Sequence, residues 1–346
     1  MSQAVAQESL LRVAEAHRVP GVAEGLALLP PAVRAQLAEI EAEIQTLADR
    51  PRGLAAASAR HVLEAGGKRV RPILSLLAAE ACRPGRRCPG LVGVAQAAEL
   101  IHAASLLHDD VIDLGEWRRG RPAARLIYGN AASVLGGNLL LVQALHLVAL
   151  TRLDGLMEET LELLRRMIAA ESLQLASRGR LSLKESEYFE IVVGKTASVF
   201  AWSAESGARL AGASREVAAA LGRFGQEVGV AFQLVDDLLD LVREPEEIGK
   251  SVWQDLQTGT LTHPLVHAAQ RSPDRLAAIL AETGESGSRL GSAVRDLARE
   301  TGGVDATRAE IRRRTRAALG ELEGLPRTAA RDVLALLAEQ LSSRGA

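Results

Sequence analysis

The sequence lacks an excess of either charge. It has 41 Lys and Arg against 43 Asp and Glu, a formal net charge of −2, in a chain of 346 residues. A nucleic-acid-binding protein would show a basic excess, so that class is disfavoured. Hydrophobic residues make up 47% and charged residues 24%, the balance of a globular protein large enough to bury a sizeable core.

Targeting features are also lacking. The N-terminal segment has no basic region followed by an apolar run, so it does not resemble a signal peptide. The most apolar long stretch, Leu139 to Leu150, is interrupted by Gln143 and His146 and is shorter than the roughly 20 residues that span a bilayer. These features predict a cytoplasmic protein without a transmembrane segment.

Cysteine and lysine are both scarce. The two cysteines, Cys82 and Cys88, lie in CRPGRRC, which lacks the spacing of a zinc site, and we favour reduced loop thiols over a disulfide or half of a metal site. Four of the 41 basic residues are lysines, so each position that keeps lysine is a candidate for a role that needs a compact ammonium group. Lys184 is explained as a solvated helix start, and the other three are considered below.

Strong helix formers dominate the sequence, and runs such as LELLRRMIAAESLQLAS have the periodicity of amphipathic helices. No alternating pattern indicates a strand. Short Gly/Pro or polar segments separate the helical runs, and none resembles a flexible interdomain linker. The sequence predicts an all-α protein with an N-terminal extension over residues 1–30 and one helical domain over residues 31–346.

One short motif occurs twice. The chain contains thirteen aspartates, and six of them form Asp109-Asp110-Val111-Ile112-Asp113 and Asp236-Asp237-Leu238-Leu239-Asp240. Both motifs lie in apolar helical sequence, where residues four apart share a face and clustered carboxylates are costly. Mg²⁺ removes that cost, since it binds oxygen ligands and is shared with substrate phosphates. The alternative is a pair of solvated, Asp-rich N-terminal helix turns.

Basic residues complement the carboxylates. In GGKRVRP, Lys68 and Arg71 lie three residues apart, near one face of the helix that follows, where they could hold phosphate oxygens; a solvated helix start fits as well. Arg118-Arg119-Gly120-Arg121-Pro122 follows the first aspartate motif, and its Gly and Pro favour a tight phosphate-binding turn over simple salt bridges.

Two further lysines lie in Gly-containing elements. Lys195-Thr196 in VVGKTASVF lacks the upstream glycines of a P-loop, and Gly194 is expected to allow close helix packing. Lys250 follows the second aspartate motif. His102 lies two helical turns before Asp109 and is either a ligand-binding or an ordinary buried histidine.

Several of these segments together resemble the polyprenyl synthetase family, the trans-isoprenyl diphosphate synthases. They occur in the family's order and spacing from about residue 55 to the C-terminus. The segments are GGKRVRP, ELIHAASLLHDDVID, RRGRPA, GKTASVFAWSAESGA, FQLVDDLLD, GKSVWQDLQTG and ETGGVDATRAEIRRRTRAALGELEGLP.

The resemblance implies a bundle of long helices around a deep cavity, usually in a homodimer, and an enzyme that joins isopentenyl diphosphate to an allylic diphosphate. It assigns residues to each ligand. Mg²⁺ would be held by Asp109, Asp113 and Asp236, with Asp110, Asp237 and Asp240 completing the clusters. Isopentenyl diphosphate would be bound by Lys68, Arg71, His102 and Arg119. The allylic diphosphate would be bound by Arg118, Lys195, Thr196, Gln233 and Lys250.

Product length in this family depends on the residues that close the cavity before the first aspartate motif. Here Ala104 and Ser105 are small and Ile101 is moderately bulky, which favours a medium or long product over a short one. Departures from the family pattern at Asn138, Trp253 and Thr260 leave rate, primer and product length open. A class I terpene cyclase and a non-catalytic partner subunit of a heteromeric synthase are the alternatives.

Overall fold

A computed structural model describes residues 28–49, 53–242, 259–281 and 287–343. Within these ranges the protein is helical, as the sequence predicts, apart from loops and one two-stranded hairpin. The elements of the first half are α1 (Pro31–Asp49), α2 (Leu54–Glu64), α3 (Val70–Cys82), α4 (Leu91–Ile112), β1 (Trp117–Arg118), β2 (Arg121–Pro122), α5 (Ala124–Tyr128), α6 (Asn130–Thr151) and α7 (Leu156–Ser177).

The second half continues with helices. One of them contains a π-helical turn, Val193–Ala197, between two α-helical parts. The elements are α8 (Glu185–Val192), α9 (Ser198–Leu210), α10 (Arg215–Val242), α11 (His263–Arg271), α12 (Pro273–Ala281), α13 (Gly287–Glu300), α14 (Gly303–Glu321) and α15 (Ala329–Ser343).

The chain forms two compact units. The first contains the described residues up to Glu162, with Val199–Gly225 and Glu321–Leu337. The second contains Leu163–Ser198, the described residues of Gln226–Gly320 and those from Ala338 onward. The predicted extension over residues 1–30 falls almost entirely outside the described residues, and the single helical domain around a deep cavity stays a prediction.

In the first unit, α4 is the central helix. It packs against α6 and α3, and most of its side chains from Leu91 to Asp110 are buried. Glycines let neighbouring helices approach closely. A Cβ at Gly136 of α6 would lie 2.9 Å from the carbonyl oxygen of Ala55, and one at Gly207 of α9 would collide with the carbonyl of Ser75. The helices that carry candidate site residues are therefore held by backbone contact as well as by side chains.

Helix α6 is apolar yet mostly exposed. Both α4 and α6 have 22 residues and are long and apolar enough to cross a membrane, but 72% of the apolar window is buried within the protein for α4 and 28% for α6. The prediction that the apolar stretch from Leu139 to Leu150 is too short to span a bilayer is wrong, because the helix that contains this stretch begins at Asn130. The absence of a transmembrane segment therefore stays a prediction.

The second unit has its own apolar core. Val230, Leu234 and Leu238 of α10 recur at helical spacing and are almost fully buried, together with side chains of α11 and α13. At about 100° per residue, Asp236 and Asp240 lie on the far side of α10 from this stripe, whereas Asp237 lies beside it. The helical period thus decides which carboxylates of the second cluster turn inward.

Candidate functional site

Both aspartate clusters lie at the C-terminal ends of their helices. Asp113 directly follows α4, and its backbone N–H donates to the carbonyl of Asp109 at 2.7 Å, so these two residues are one turn apart. Asp236 and Asp240 occupy the last two turns of α10. A helix C-terminus carries partial negative charge, and neither helix has a basic residue in its last turn. The alternative of N-terminal, dipole-stabilised turns is therefore wrong for both clusters.

Within each cluster the middle aspartate differs from its neighbours. Asp110 is 1% exposed and Asp237 is 5% exposed. The flanking residues keep more accessible surface: Asp109, Asp113 and Asp236 are half-buried and Asp240 is exposed. Each motif thus presents an outer pair of carboxylates at i, i+4 spacing and turns one carboxylate into the protein.

Asp110 is paired with Arg118 from the hairpin. Its Oδ1 accepts hydrogen bonds from Nε of Arg118 at 3.0 Å and from Nη2 at 2.5 Å. Burial raises the pKa of Asp110 in spite of this guanidinium. Burial alone would lower the pKa of Arg118, but Asp110, Asp109 and Asp113 together raise it. The guanidinium therefore lies in the field of the whole first cluster.

The loop after α4 places Arg118 and Arg119 on a tight hairpin turn. Arg119 and Gly120, the two residues between the strands, have φ of 53° and 75°, as a two-residue hairpin turn requires. Arg125 holds the preceding loop by donating to the carbonyls of Gly115 and Leu114 at 2.8 and 2.6 Å. The tight turn predicted from the sequence is confirmed.

The basic turn before α3 differs from the prediction in one respect. Lys68 does not share a helical face with Arg71, because α3 begins only at Val70 and Arg69 has a left-handed backbone, φ 51°. Lys68 is half-buried in the turn and Arg71 is in the first turn of the helix. The guanidinium of Arg119 lies over this turn, 3.1 Å from the position of a Cβ on Gly67.

His102 belongs to the same basic region of the first unit. Burial lowers its pKa well below the ordinary value, and Arg71 and Arg119 lower it further. The imidazole is therefore neutral near pH 7 and can donate one N–H without adding to the repulsion between the arginines. Two residues expected to bind isopentenyl diphosphate, Arg71 and Arg119, therefore act electrostatically on a third, His102.

In the second unit, Lys195 and Thr196 lie in the π-helical turn. The expected close packing at Gly194 is confirmed, because a Cβ there would lie 2.6 Å from that of Ala170. Lys195 Nζ is 2.6 Å from Oε2 of Glu171 and 3.2 Å from Oε1 of Gln174. Such turns are frequent at functional sites. Sequence reasoning missed the turn and both α7 partners, and the glycine inside a helical run was the available signal.

Asp237 accepts three hydrogen bonds from protein donors. Its Oδ2 accepts from the hydroxyl of Tyr188 at 2.7 Å and from the backbone N–H of His263 at 2.9 Å, and its Oδ1 accepts from Gln233 at 3.0 Å. Thr196 in turn donates to Gln233 at 3.1 Å. Burial and the neighbouring Asp237 carboxylate raise the pKa of Tyr188 well above its usual range. Tyr188 and His263 were not singled out by any sequence motif.

The remaining predicted residues are placed as follows. Ala104 has no exposed surface and Ile101 is 1% exposed, while Ser105 is half-buried and donates to the carbonyl of His102 at 2.9 Å. Asn138 is exposed and Thr260 half-buried. Lys250 and Trp253 lie outside the described residues.

The described residues include no group of three or more His, Cys, Asp or Glu side chains that could hold a metal ion by itself. Mg²⁺ usually takes one or two carboxylates, several waters and substrate phosphates, so it does not need such a group. The outer carboxylates of each cluster offer oxygen donors of the required kind. Their chemistry fits Mg²⁺ better than a metal that prefers nitrogen or sulfur ligands.

Comparison with known proteins agrees with these features. The family model for polyprenyl synthetases matches residues 53–297. The chain is 34% identical to the short chain isoprenyl diphosphate synthase of Methanothermobacter thermautotrophicus over 295 residues, 83% of this chain and 89% of the relative. It is 34% identical to the octaprenyl diphosphate synthase of Escherichia coli K12 over 280 residues, 80% and 86% of the two chains.

A solved structure is similar over nearly the whole length. The polyprenyl synthase of Caulobacter crescentus, in complex with calcium and isoprenyl diphosphate, superposes with a TM-score of 0.83 at 32% identity and covers 98% of each chain. With a family model that spans most of the sequence and relatives that align along its length, this chain belongs to the polyprenyl synthetase family and is a prenyl-transferring enzyme.

Proposed function

We propose that the protein condenses isopentenyl diphosphate with an allylic diphosphate to make a medium- or long-chain polyprenyl diphosphate, with Mg²⁺ as cofactor. The observation that carries this proposal is the pair of outer carboxylates, four residues apart, near the C-terminal end of each of two helices, because such pairs supply the oxygen ligands that Mg²⁺ shares with substrate phosphates. The similarity to named prenyl diphosphate synthases supports the substrate class.

The outer carboxylates Asp109, Asp113, Asp236 and Asp240 would hold Mg²⁺. When bound, the metal neutralises charge on the leaving diphosphate, which favours ionisation of the allylic C–O bond. The inner carboxylates have a different role. Asp110 orients Arg118, and Asp237 fixes the end of α10 to Tyr188 and to the start of α11.

The basic residues divide between two substrates. Lys68, Arg71 and Arg119 bind the diphosphate of isopentenyl diphosphate with cationic donors, and neutral His102 adds an N–H. The family resemblance assigns Arg118, Lys195, Thr196, Gln233 and Lys250 to the allylic diphosphate or to the developing cation. Fixed charges that face a leaving group need no reorganisation during the reaction. The product's new double bond forms when a proton is lost, and the released diphosphate is a suitable acceptor.

The alternatives explain fewer features. A terpene cyclase has no use for a second, isopentenyl diphosphate site, yet Arg71, His102 and Arg119 form a coherent basic region in the first unit. A non-catalytic partner subunit has no need for carboxylates at two helix C-termini, where they cost stability. The cytoplasmic location stays a prediction.

The direct test is incubation of the purified protein with Mg²⁺, isopentenyl diphosphate and each allylic primer in turn, followed by sizing of the products. We expect elongation with at least one primer and loss of elongation when EDTA removes the metal. Absence of any elongated product with every primer would refute the proposed activity.

Variants of two neighbouring aspartates in the second cluster can distinguish a metal-binding role from a structural role. We expect Asp236→Asn to lower turnover by at least 100-fold (about 2.7 kcal/mol or more in barrier) with a small change in Tm, because it removes a half-buried metal ligand. Asp237→Asn should lower Tm by several degrees, because one of the two buried acceptor oxygens becomes an NH2 group that faces hydrogen-bond donors. Calorimetry gives the Tm of both variants, and steady-state assays give their turnover. Full activity of Asp236→Asn would exclude the assignment of Asp236 as a metal ligand.

Substitutions in α4 shortly before Asp109 test which residues limit product length. Ser105 lies one turn before Asp109 and keeps accessible surface, so Ser105→Phe should shorten the product, while Ser105→Ala should leave it unchanged. Ala104→Phe should also shorten it and in addition lower Tm, because Ala104 has no free surface. Chromatography of radiolabelled products gives the length. Unchanged products from both phenylalanine variants would contradict the assignment of the cavity floor.

We propose further that α6 is the interface of a homodimer. Leu135, Leu139, Val142 and Leu150 are 57%, 36%, 65% and 64% exposed and follow one face of the helix. The helix contains no Asp, Glu, Lys or Arg, so two copies can meet without opposing charges. An exposed apolar patch of this kind marks an interaction surface, and a two-fold axis would pair it with itself.

Substitution at the most exposed position tests the interface. Val142→Asp should convert the dimer to a monomer, because it buries an unpaired carboxylate, whereas Val142→Ala should remain a dimer. Sedimentation equilibrium gives the mass of each. A monomeric wild-type protein, or a Val142→Asp variant as dimeric as the wild type, would rule this interface out.

A further inference from the structure

We propose that Glu99 is a positioning residue for isopentenyl diphosphate: its buried carboxylate holds the basic turn before α3 and the Arg119 guanidinium in the arrangement that receives the diphosphate. The proposal rests on the proposed function and adds a residue that begins the segment ELIHAASLLHDDVID but to which no role was assigned above. Glu99 lies on α4, one turn before His102.

Glu99 contacts the turn before α3 through Arg69. Arg69 is 4% exposed and is held by two carboxylates. Its Nη1 donates to Glu99 Oε1 at 2.7 Å, and its Nε and Nη2 donate to the two oxygens of Glu41 at 2.5 and 3.2 Å. Because Arg69 has a left-handed backbone, which costs energy for a non-glycine residue, these contacts stabilise the turn that sets the positions of Lys68 and Arg71.

Glu99 is surrounded by positively charged side chains. Its carboxylate is buried at 3% exposure, and burial alone would raise its pKa. Arg69, Arg71 and Arg119 outweigh that effect and lower the pKa instead. The Arg119 guanidinium lies over Gly67, two residues before Arg69, so it is placed against the turn that Glu99 holds through Arg69.

Before substrate binds, the enzyme must hold these arginines close together. Three cations in a partly dry region repel one another, and the pKa of Arg119 is lowered by burial and by Arg69 and Arg118, with Glu99 acting in the opposite direction. A fixed carboxylate offsets this repulsion and keeps the side chains together. The diphosphate then meets a preorganised set of donors, and little binding energy is spent on gathering them.

Glu41 provides a matched control. It pairs with the same arginine, through two hydrogen bonds, but belongs to α1 and not to the helix that carries His102. If Glu99 acted only by neutralising Arg69, loss of either carboxylate would have the same effect on catalysis.

The experiment compares Glu99→Gln with Glu41→Gln by steady-state kinetics for both substrates and by Tm. We expect Glu99→Gln to raise KM for isopentenyl diphosphate at least tenfold, with KM for the allylic primer and kcat at saturation changed less than threefold. Glu41→Gln should lower Tm and raise KM for isopentenyl diphosphate clearly less than Glu99→Gln does, because it loosens the turn but keeps the carboxylate that acts on Arg71 and Arg119.

An unchanged KM for isopentenyl diphosphate in Glu99→Gln, or an equal rise in Glu41→Gln, would overturn the proposal. If Glu99→Gln does not fold, Glu99→Asp serves in its place. It keeps the charge but withdraws it by one methylene, so it should raise the same KM selectively, and no rise would again overturn the proposal. Wild-type protein that elongates no primer would instead refute the proposed function.

Discussion

The structure depends on carboxylates held where a helix already carries negative charge. Asp109 and Asp113 end α4, and Asp236 and Asp240 lie in the last two turns of α10. Each helix packs into its unit through an apolar side. The helix therefore cannot move at low energetic cost to reduce the repulsion between its carboxylates. Nearby cations stabilise clustered carboxylates, which is why the proposed function assigns arginines and a divalent metal to the same site.

The inner aspartates show how the protein fixes this arrangement. Asp110 and Asp237 occupy the same place in the two motifs, and in both the helical period turns the side chain inward. Asp110 meets an arginine from the hairpin, and Asp237 meets a tyrosine, a glutamine and the first backbone N–H of α11. Each inner carboxylate therefore ties its helix end to a later segment, while the outer pair keeps accessible surface.

Sequence patterns predicted the features that depend on local periodicity. The helices, the i, i+4 pairing of the aspartates and the tight turn at Arg119-Gly120 follow from spacing and glycine placement, and the structure contains all of them. Contacts between residues distant in sequence were not predictable in this way: Glu41 with Arg69, Glu171 with Lys195 and Tyr188 with Asp237 join helices whose order along the chain does not reveal their packing. Lys68 was placed on a helix because no pattern marks the left-handed backbone of Arg69.

The π-helical turn at Val193–Ala197 has a consequence for how this helix tolerates change in length. A turn of this kind holds one residue more than the α-helical turn it replaces, while the segments on either side keep their own orientation. Loss of one residue there would restore regular α-helical winding. The contacts of Lys195 with Glu171 and Gln174, and of Thr196 with Gln233, would then lose their present geometry, so the length of this segment is tied to the partners of these two side chains.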